Sequence, residues 1–385
     1  SSRSLFKRVR QLGSVHMDSA LTKDLCMEGC CSCEFIWNET AFANMFEFES
    51  WMASAYKSYQ LLSNDLHEFP FVDPRAEMAK EFLDQHCDWH AMRHVLEIGS
   101  NRGDFLAYLH SSYPHLQVLG VESTPLDQVG IPTLFGDVRN FSFSASFDLI
   151  VVRQVLEHIL KPKAFLRHIA SFLKEGGLLL LEVPDLENDL DEGVDPWVME
   201  HVGYYSEKSL AMLGDSAGLG LTGVDRSYQL IALFSKSRNG ISLQNLTSHG
   251  RWERLKTFAA LVANSRAEWL GLVRQGYELC FYGASNVFLA ITGELQQSWA
   301  EEWYQCSKSV VDDYSEKKGC LIAGIKVKSW DEYTPGGNCI YIVCAMYRYH
   351  RQSMMQRVFE RMRKQDKVYA MWTPQFLEKG HGNEI

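Results

Sequence analysis

Between residues 75 and 235 the apolar positions keep two rhythms, one returning every three to four residues and the other arriving as short unbroken runs. PRAEMAKEFLDQHC has the first rhythm and predicts a helix, whereas HVLEIG has the second and predicts a buried strand. The order continues with GDFLAYLHSSY as a helix, QVLGVE and FDLIVVRQ as strands, PKAFLRHIASFLKEGG as a helix ended by its glycines, and LLLLEVP as a strand. Helices interleaved with strands of this kind predict an α/β protein built on a doubly wound, mostly parallel sheet.

The texture changes on both sides of this region. Residues 1–70 are Cys- and Phe-rich and weakly periodic, and they close near EFPFVDP, where two prolines stop any continuing helix. The polar stretch SKSRNGISLQNLTSHG reads as a linker. Beyond it Trp252, Leu255, Phe258, Val262, Trp269 and Val273 fall at helical spacing as a packing face, and YELCFYGAS, KSVVDDY and NCIYIVCAM follow as buried strands. Three regions are expected: a small N-terminal module over 1–70, an α/β domain over 71–240, and a second C-terminal α/β domain over 250–385.

Charge narrows the partners. With 38 basic and 48 acidic residues the formal charge is -10, which opposes attraction to nucleic acid or to an anionic membrane surface. The longest apolar run, GLLLLEV, suits a buried strand and is too short for a membrane span. The basic start SSRSLFKRVR lacks the apolar segment of a signal peptide, and without an initiator Met a trimmed start is expected. Ten cysteines include the cluster CMEGCCSC, whose adjacent thiols suit a reducing compartment or a metal better than a disulfide framework, so the cytoplasm is the expected location.

Candidate chemistry begins at HVLEIGSNRGDFLAYL, where a strand runs through a glycine turn into a helix. The dinucleotide fingerprint G-x-G-x-x-G is absent; the turn carries Glu97, Gly99, Ser100, Asn101 and Gly103. Glycine permits close backbone approach to a ligand. Glu122 closes the next strand, where a carboxylate can accept both hydroxyls of a ribose, and Asp137 follows in FGDVRNF, placed to take an adenine amino group. Arg153 and His158 lie at and just after the end of the strand in SFDLIVVRQVLEHI, with His158 read as ordering the helix start and the cofactor pocket.

This ordered set resembles the class I S-adenosylmethionine-dependent methyltransferases over about residues 90 to 185. The resemblance implies a Rossmann-like class I methyltransferase core with S-adenosyl-L-methionine as cofactor, and a cofactor without a pyrophosphate has no need of a three-glycine cradle. Farther on, EHVGYYS resembles the E-H-x-x-Y-[FY]-S signature of the deoxysugar C-methyltransferases, which methylate C3 of nucleotide-linked 4-ketosugars. FYGASNVFLA, VVDDYSEKKG and IYIVCAMYRY are similar to stretches of that family's C-terminal domain, and CCSCEFIW to the end of its N-terminal zinc module.

The second resemblance implies a ketosugar nucleotide as acceptor and an enolate that attacks the sulfonium methyl. In that reading His201 is the base, Glu200 holds its tautomer or the sugar, and Tyr204 or Tyr205 donates a hydrogen bond to the enolate oxygen. Three features depart from the family: Val198 replaces a Tyr, SYQLIALFSKS replaces a strand containing Gly-Gly-Ser, and Gly283-Ala284-Ser285 continues into Asn286, Val287 and Phe288 without the usual Lys and Gly. Two alternatives therefore stay open, an O- or N-methyltransferase of a small natural product and a binding protein that keeps the fold without turnover. For zinc, Cys26, Cys30, Cys31 and Cys33 could supply four thiolates, with His16 as a substitute, but the adjacent pair strains a tetrahedral site. Reduced, partly buried thiols are the expectation.

Overall fold

Strand β1 (Ser2–Leu12), β2 (Leu21–Cys30) and β3 (Ile36–Asn38) open the chain, and burial alternates along β3 as the period of two requires. The structure is a computed structural model that describes residues 2–12, 21–43, 45–46, 48–50, 52, 74–143, 147–194, 196–198, 200–237, 240–242, 246, 250–345 and 348–375. His16 and the proline break expected within EFPFVDP, apart from its final Pro74, lie outside the described residues, as does part of the linker. Leu25–Asn188 and Met199–His249 belong to one unit, and Asp189–Val198 and Gly250–Ile385 to another.

In the first unit the chain continues with β4 (His94–Ile98), β5 (Gln117–Glu122), β6 (Thr133–Phe135), β7 (Phe147–Arg153), β8 (Leu173–Val183), β9 (Gly203–Tyr204), β10 (Gly220–Asp225) and β11 (Leu230–Ser235). Their order is β10-β11-β8-β7-β4-β5-β6, with β9 leaving to pair with β3. Strands β4 to β8 pair in parallel, and β11 runs antiparallel between β8 and β10.

Both faces of this sheet are covered, which is why its strands are apolar without alternation. Leu96, Ile98, Ile150, Val152 and Leu181 pack with Phe165, Leu166 and Ile169 of the helix Pro162–Ala170 and Leu210 of the helix Glu207–Ser216. Val95, Leu149, Val151 and Leu180 face the other way, toward Phe82 and Leu83 of the helix Pro74–Asp84 and Leu106 and Leu109 of the helix Asp104–Ser112. Each such buried side chain contributes about 1.5–3 kcal/mol relative to exposure.

One element differs from the sequence reading. The helix expected through KEGG stops at Ala170, and β8 already begins at Leu173. Leu173 pairs with Phe147, but Leu149 pairs with Leu178, so residues 174–177 bulge out of the ladder. Gly176 takes φ +74, and a β-carbon at Gly177 would lie 3.0 Å from the Lys174 carbonyl oxygen. The glycines serve a strand bulge here and not a helix cap.

The second unit has its own sheet: β12 (Glu278–Tyr282), β13 (Lys308–Val311), β14 (Leu321–Ile322), β15 (Ile325–Lys328), β16 (Cys339–Val343), β17 (Lys367–Ala370) and β18 (Thr373–Gln375) in the order β14-β15-β13-β12-β16-β17-β18. The middle strands are parallel and the two edge pairs antiparallel. The 24-residue helix Arg251–Arg274 precedes it, and of the expected packing positions Phe258, Val262 and Trp269 are buried.

Candidate active site

At β4 the strand order reverses, with β5 on one side and β7 on the other, and open α/β sheets bind ligands beyond the carboxyl ends of the strands at such a point. Gly99 leaves β4 at φ +73, and a β-carbon there would come to 2.3 Å from Val155 Cγ2, so the chain passes only as glycine. The turn is pinned by the Gly99 N–H donating to the Val121 carbonyl at 2.8 Å and the Gly103 N–H donating to the Ser100 carbonyl at 2.8 Å. Asn101, at φ 50, donates its N–H to Glu122 Oε2 at 2.9 Å. Ser123 Oγ donates to the other oxygen, Oε1, at 3.0 Å. Glu122 is thus fixed at the end of β5, and Gly103, at φ 89, starts the helix Asp104–Ser112.

Glu97 lies beneath this turn. Burial pushes its carboxyl up to about 8, Arg153 pulls it down, and Glu182, Asp104 and Glu122 raise it further. Glu97 Oε2, Ser100 Oγ and Arg102 Nε are buried without a hydrogen-bond partner among the described residues. The turn and the strand end before it therefore carry both acceptor and donor atoms that lack a protein partner among the described residues.

Two expected cofactor residues are engaged within the protein. Asp137 caps the turn Val138–Asn140 and accepts from Arg139 Nε at 2.8 Å, and Arg139 holds its carboxyl below the ordinary range. Arg153 Nε donates to Glu182 Oε2 at 2.7 Å, and its guanidinium lies 4.8 Å from the Phe105 ring centroid.

The expected acceptor residues meet just beyond β7. Gln154, at φ 54, turns the chain into the short helix Leu156–His158. Val202 donates its N–H to the Glu157 carbonyl at 2.7 Å, and His158 Nδ1 lies 2.8 Å from the Glu200 carbonyl oxygen. A carbonyl only accepts, so Nδ1 carries the proton and Nε2 keeps its lone pair. This tie sets the His158 and His201 rings 5.0 Å apart, edge to face, with Tyr204 5.7 Å from His201. Burial lowers His158 to about 4 against the bond to Glu200. Burial, and then His158, hold His201 well below the ordinary histidine value, so both imidazoles are neutral near pH 7.

The two tyrosines part company. Tyr205 is buried against Phe35, with ring centroids 4.9 Å apart, and its hydroxyl donates to the Leu156 carbonyl at 3.4 Å. Tyr204 faces His201 from β9. Ser206 caps the next helix by accepting from the Ser209 N–H at 3.1 Å, and its own hydroxyl donates to the Cys33 carbonyl at 2.7 Å. Glu200 contributes its backbone carbonyl to the cluster.

The cysteine hairpin places Cys30 and Cys33 across a turn closed by the Cys30 N–H donating to Phe35 at 2.8 Å. The backbone N–H of Cys33 lowers the Cys30 thiol, while burial raises that of Cys33. Among the described residues no third ligand joins them with Cys26 or Cys31; the only cluster of three ligating side chains is Glu157, His158 and His201. In the second unit the Gly283 turn is at φ 103, Ala284 donates its N–H to Asp312 Oδ2 at 2.7 Å, and Lys317 Nζ reaches the Ala284 carbonyl at 3.1 Å.

Sequence reasoning passed over Glu157, although each of LEHI and MEHV carries a Glu-His pair and that repetition was a usable signal. It also passed over Arg226, which binds Asp185 through two hydrogen bonds of 2.7 and 2.5 Å and Glu187 at 2.9 Å; partners 41 positions apart leave no local mark.

Residues 60–223 match the family described as a methyltransferase domain. The chain is 28% identical over 134 residues to a malonyl-[acyl-carrier protein] O-methyltransferase of Paenibacillus sp., covering 31% of this chain and 49% of that protein. It is 32% identical over 120 residues to a trans-aconitate 2-methyltransferase of Enterobacter sp. (29% and 45%), and 22% identical over 123 residues to an (S)-tetrahydroprotoberberine N-methyltransferase of Eschscholzia californica (29% and 35%). The chain thus spans half or less of the length of these relatives. A plantazolicin methyltransferase solved with S-adenosylhomocysteine aligns at 14% identity and a TM-score of 0.37, over 49% of this chain and 93% of that one. The protein carries a Rossmann-like methyltransferase domain of class I, the S-adenosylmethionine-dependent type. Among the described residues no helix is long and apolar enough to cross a membrane.

Proposed function

We propose that the protein transfers a methyl group to a small-molecule acceptor, and that the acceptor site is formed at His201, at a carbon next to a ketone of a nucleotide-linked sugar. The observation that carries this is the half-buried His201 imidazole held beside His158 and Tyr204, in the same unit as the glycine turn. When bound, S-adenosylmethionine supplies an electrophilic methyl group on a sulfonium. Gly99 and Gly103 would let it approach the backbone, Glu122 would accept its ribose hydroxyls, and Ser100 and Asn101 would line the turn. The unpaired buried atoms of Glu97, Ser100 and Arg102 fit such a polar ligand.

His201 would take the proton from the acceptor carbon, since carbon is a poor nucleophile until it becomes an enolate. Tyr204 is the tyrosine of the pair that faces His201 and would hydrogen-bond the enolate oxygen. The ten free thiols support a cytoplasmic location.

A second reading, methylation of oxygen or nitrogen, is favoured by Val198 and by Asn286–Phe288, which depart from the ketosugar family, and by the O- and N-methyltransferase names of the relatives. One experiment separates the two. A nucleotide-linked 4-ketosugar is incubated in deuterated buffer with the protein and S-adenosylhomocysteine. Exchange of the C3 proton is the expected result, and no exchange by protein that binds S-adenosylhomocysteine would favour the oxygen or nitrogen reading.

A further inference from the structure

Glu157, His158 and His201 form a set that the reading above uses only in part. Each offers one ligand atom, and these atoms all lie within 4.8 Å of one another. They come from two segments distant in sequence that are clamped by the Val202 N–H donating to the Glu157 carbonyl and the His158 Nδ1–H donating to the Glu200 carbonyl. The second of these bonds turns His158 Nε2, with its lone pair, toward Glu157 Oε1 at 3.8 Å. A ring N–H donating to a backbone carbonyl is the outer support that metal-binding histidines commonly have.

The remaining atoms of the set are enclosed. Both carboxylate oxygens of Glu157 and Nδ1 of His201 are buried and lack a hydrogen-bond partner among the described residues. Buried polar atoms are satisfied as a rule, so unsatisfied atoms on two of three side chains whose ligand atoms lie within 4.8 Å of one another ask for a ligand. We propose that Glu157, His158 and His201 bind one divalent transition-metal cation of the zinc class. Two imidazole nitrogens and one carboxylate oxygen suit Zn²⁺, Co²⁺, Fe²⁺ or Ni²⁺, whereas Ca²⁺ and Mg²⁺ prefer all-oxygen sets. Zinc takes its ligands at about 2.0–2.2 Å, so the cluster must contract from its present spacing to take the ion.

Three protein ligands leave a coordination position for water or for an acceptor oxygen. An ion here uses a lone pair of His201. In the loaded protein, proton removal from the acceptor would pass to a metal-bound hydroxide, which becomes water; in the stripped protein it stays with the imidazole. Metal binding itself does not rest on the methyltransfer reading.

The test is a cobalt titration of the full chain after stripping with a chelator. We expect one Co²⁺ per chain, visible d–d bands, and no thiolate-to-cobalt charge-transfer band. Glu157→Gln and His158→Gln should each weaken binding at least tenfold, and a Cys30→Ser/Cys33→Ser double variant should bind as the parent does. Absence of stoichiometric visible bands in the parent overturns the proposal. So does a thiolate band that vanishes in the cysteine variant, or unchanged affinity in Glu157→Gln. Calorimetry with S-adenosylhomocysteine on the same samples reports folding. It also separates failure of the cofactor reading, which would abolish that binding while leaving the cobalt spectrum intact.

Discussion

Asn101 donates its backbone N–H to the carboxylate of Glu122 at 2.9 Å, so the residue at the top of the glycine turn and the acid at the end of the neighbouring strand hold each other in place. Glu122→Ala removes both that anchor and the ribose acceptor. Affinity for S-adenosylhomocysteine should fall by about 1.5–3 kcal/mol, the range of charge-assisted hydrogen bonds, as read by calorimetric titration. Unchanged affinity in a folded variant would place the ribose elsewhere.

Gly99→Ala tests the strand exit. Its β-carbon would have to displace Val155 Cγ2 from 2.3 Å, at a backbone φ of +73 that L residues avoid. We expect a loss of about 1–3 kcal/mol in chemical denaturation, with cofactor binding lost or much weakened. Wild-type stability and binding would mean the turn relaxes without cost.

Glu97 gives the protein a pH dependence of defined sign. Its carboxyl has a folded-state value of about 8 against an ordinary 4.5, so between these the folded state binds more protons than the unfolded state. Without cofactor, stability contributed here is full below about pH 4.5, falls as the pH rises, and levels above about pH 8. Glu97→Gln keeps the shape and removes the titration. The variant should gain on the parent between about pH 5 and pH 8, with each unit of offset worth about 1.4 kcal/mol. A parent-to-variant difference that does not change with pH would contradict this.

His201→Ala should lower turnover by roughly 10²- to 10⁴-fold, the usual range for a positioned acid or base, and leave S-adenosylhomocysteine binding near the parent value. The informative comparison is steady-state rate beside calorimetry. Loss of cofactor binding together with early melting would mark His201 as a residue that holds the loop at 200–204, and a normal rate would remove it from the reaction.

Tyr205→Phe and Tyr204→Phe should differ. The Tyr205 ring packs in the core beside Phe35 and its hydroxyl donates to the Leu156 carbonyl over a long 3.4 Å, away from His201, so Tyr205→Phe should spare activity. Tyr204→Phe should reduce turnover more than stability. Equal loss of activity in both would argue that the tyrosines act through packing alone.

The parts of the fold legible in the sequence were those governed by local rhythm. Strands β4, β5 and β7 and the helix Asp104–Ser112 follow directly from unbroken or periodic apolar runs, and Gly99 and Gly103 stand where close approach demands them. The glycines at 176 and 177 misled because a helix end and a strand bulge ask the same backbone freedom of them, and only the pairing with Phe147 decides between the two. Tyr204 and Tyr205 are equivalent by composition; the pleat of β9 and the position of Phe35 distinguish them. Glu157 escaped notice because its role arises from a neighbour, His201, on a segment far along the sequence.

Ser206 reaches Cys33 across 173 positions of sequence, next to the pairing of β3 with β9. A contact of that span cannot form while the chain between is still being made or is still unfolded, because its loop-closure cost precedes any return. The cofactor half of the sheet, joined by short connections, can assemble well before the loop carrying His201 is gripped from the N-terminal side. During synthesis one edge of β3 therefore stays unpaired until residues 203–204 emerge, and that edge is open to mispairing between nascent chains.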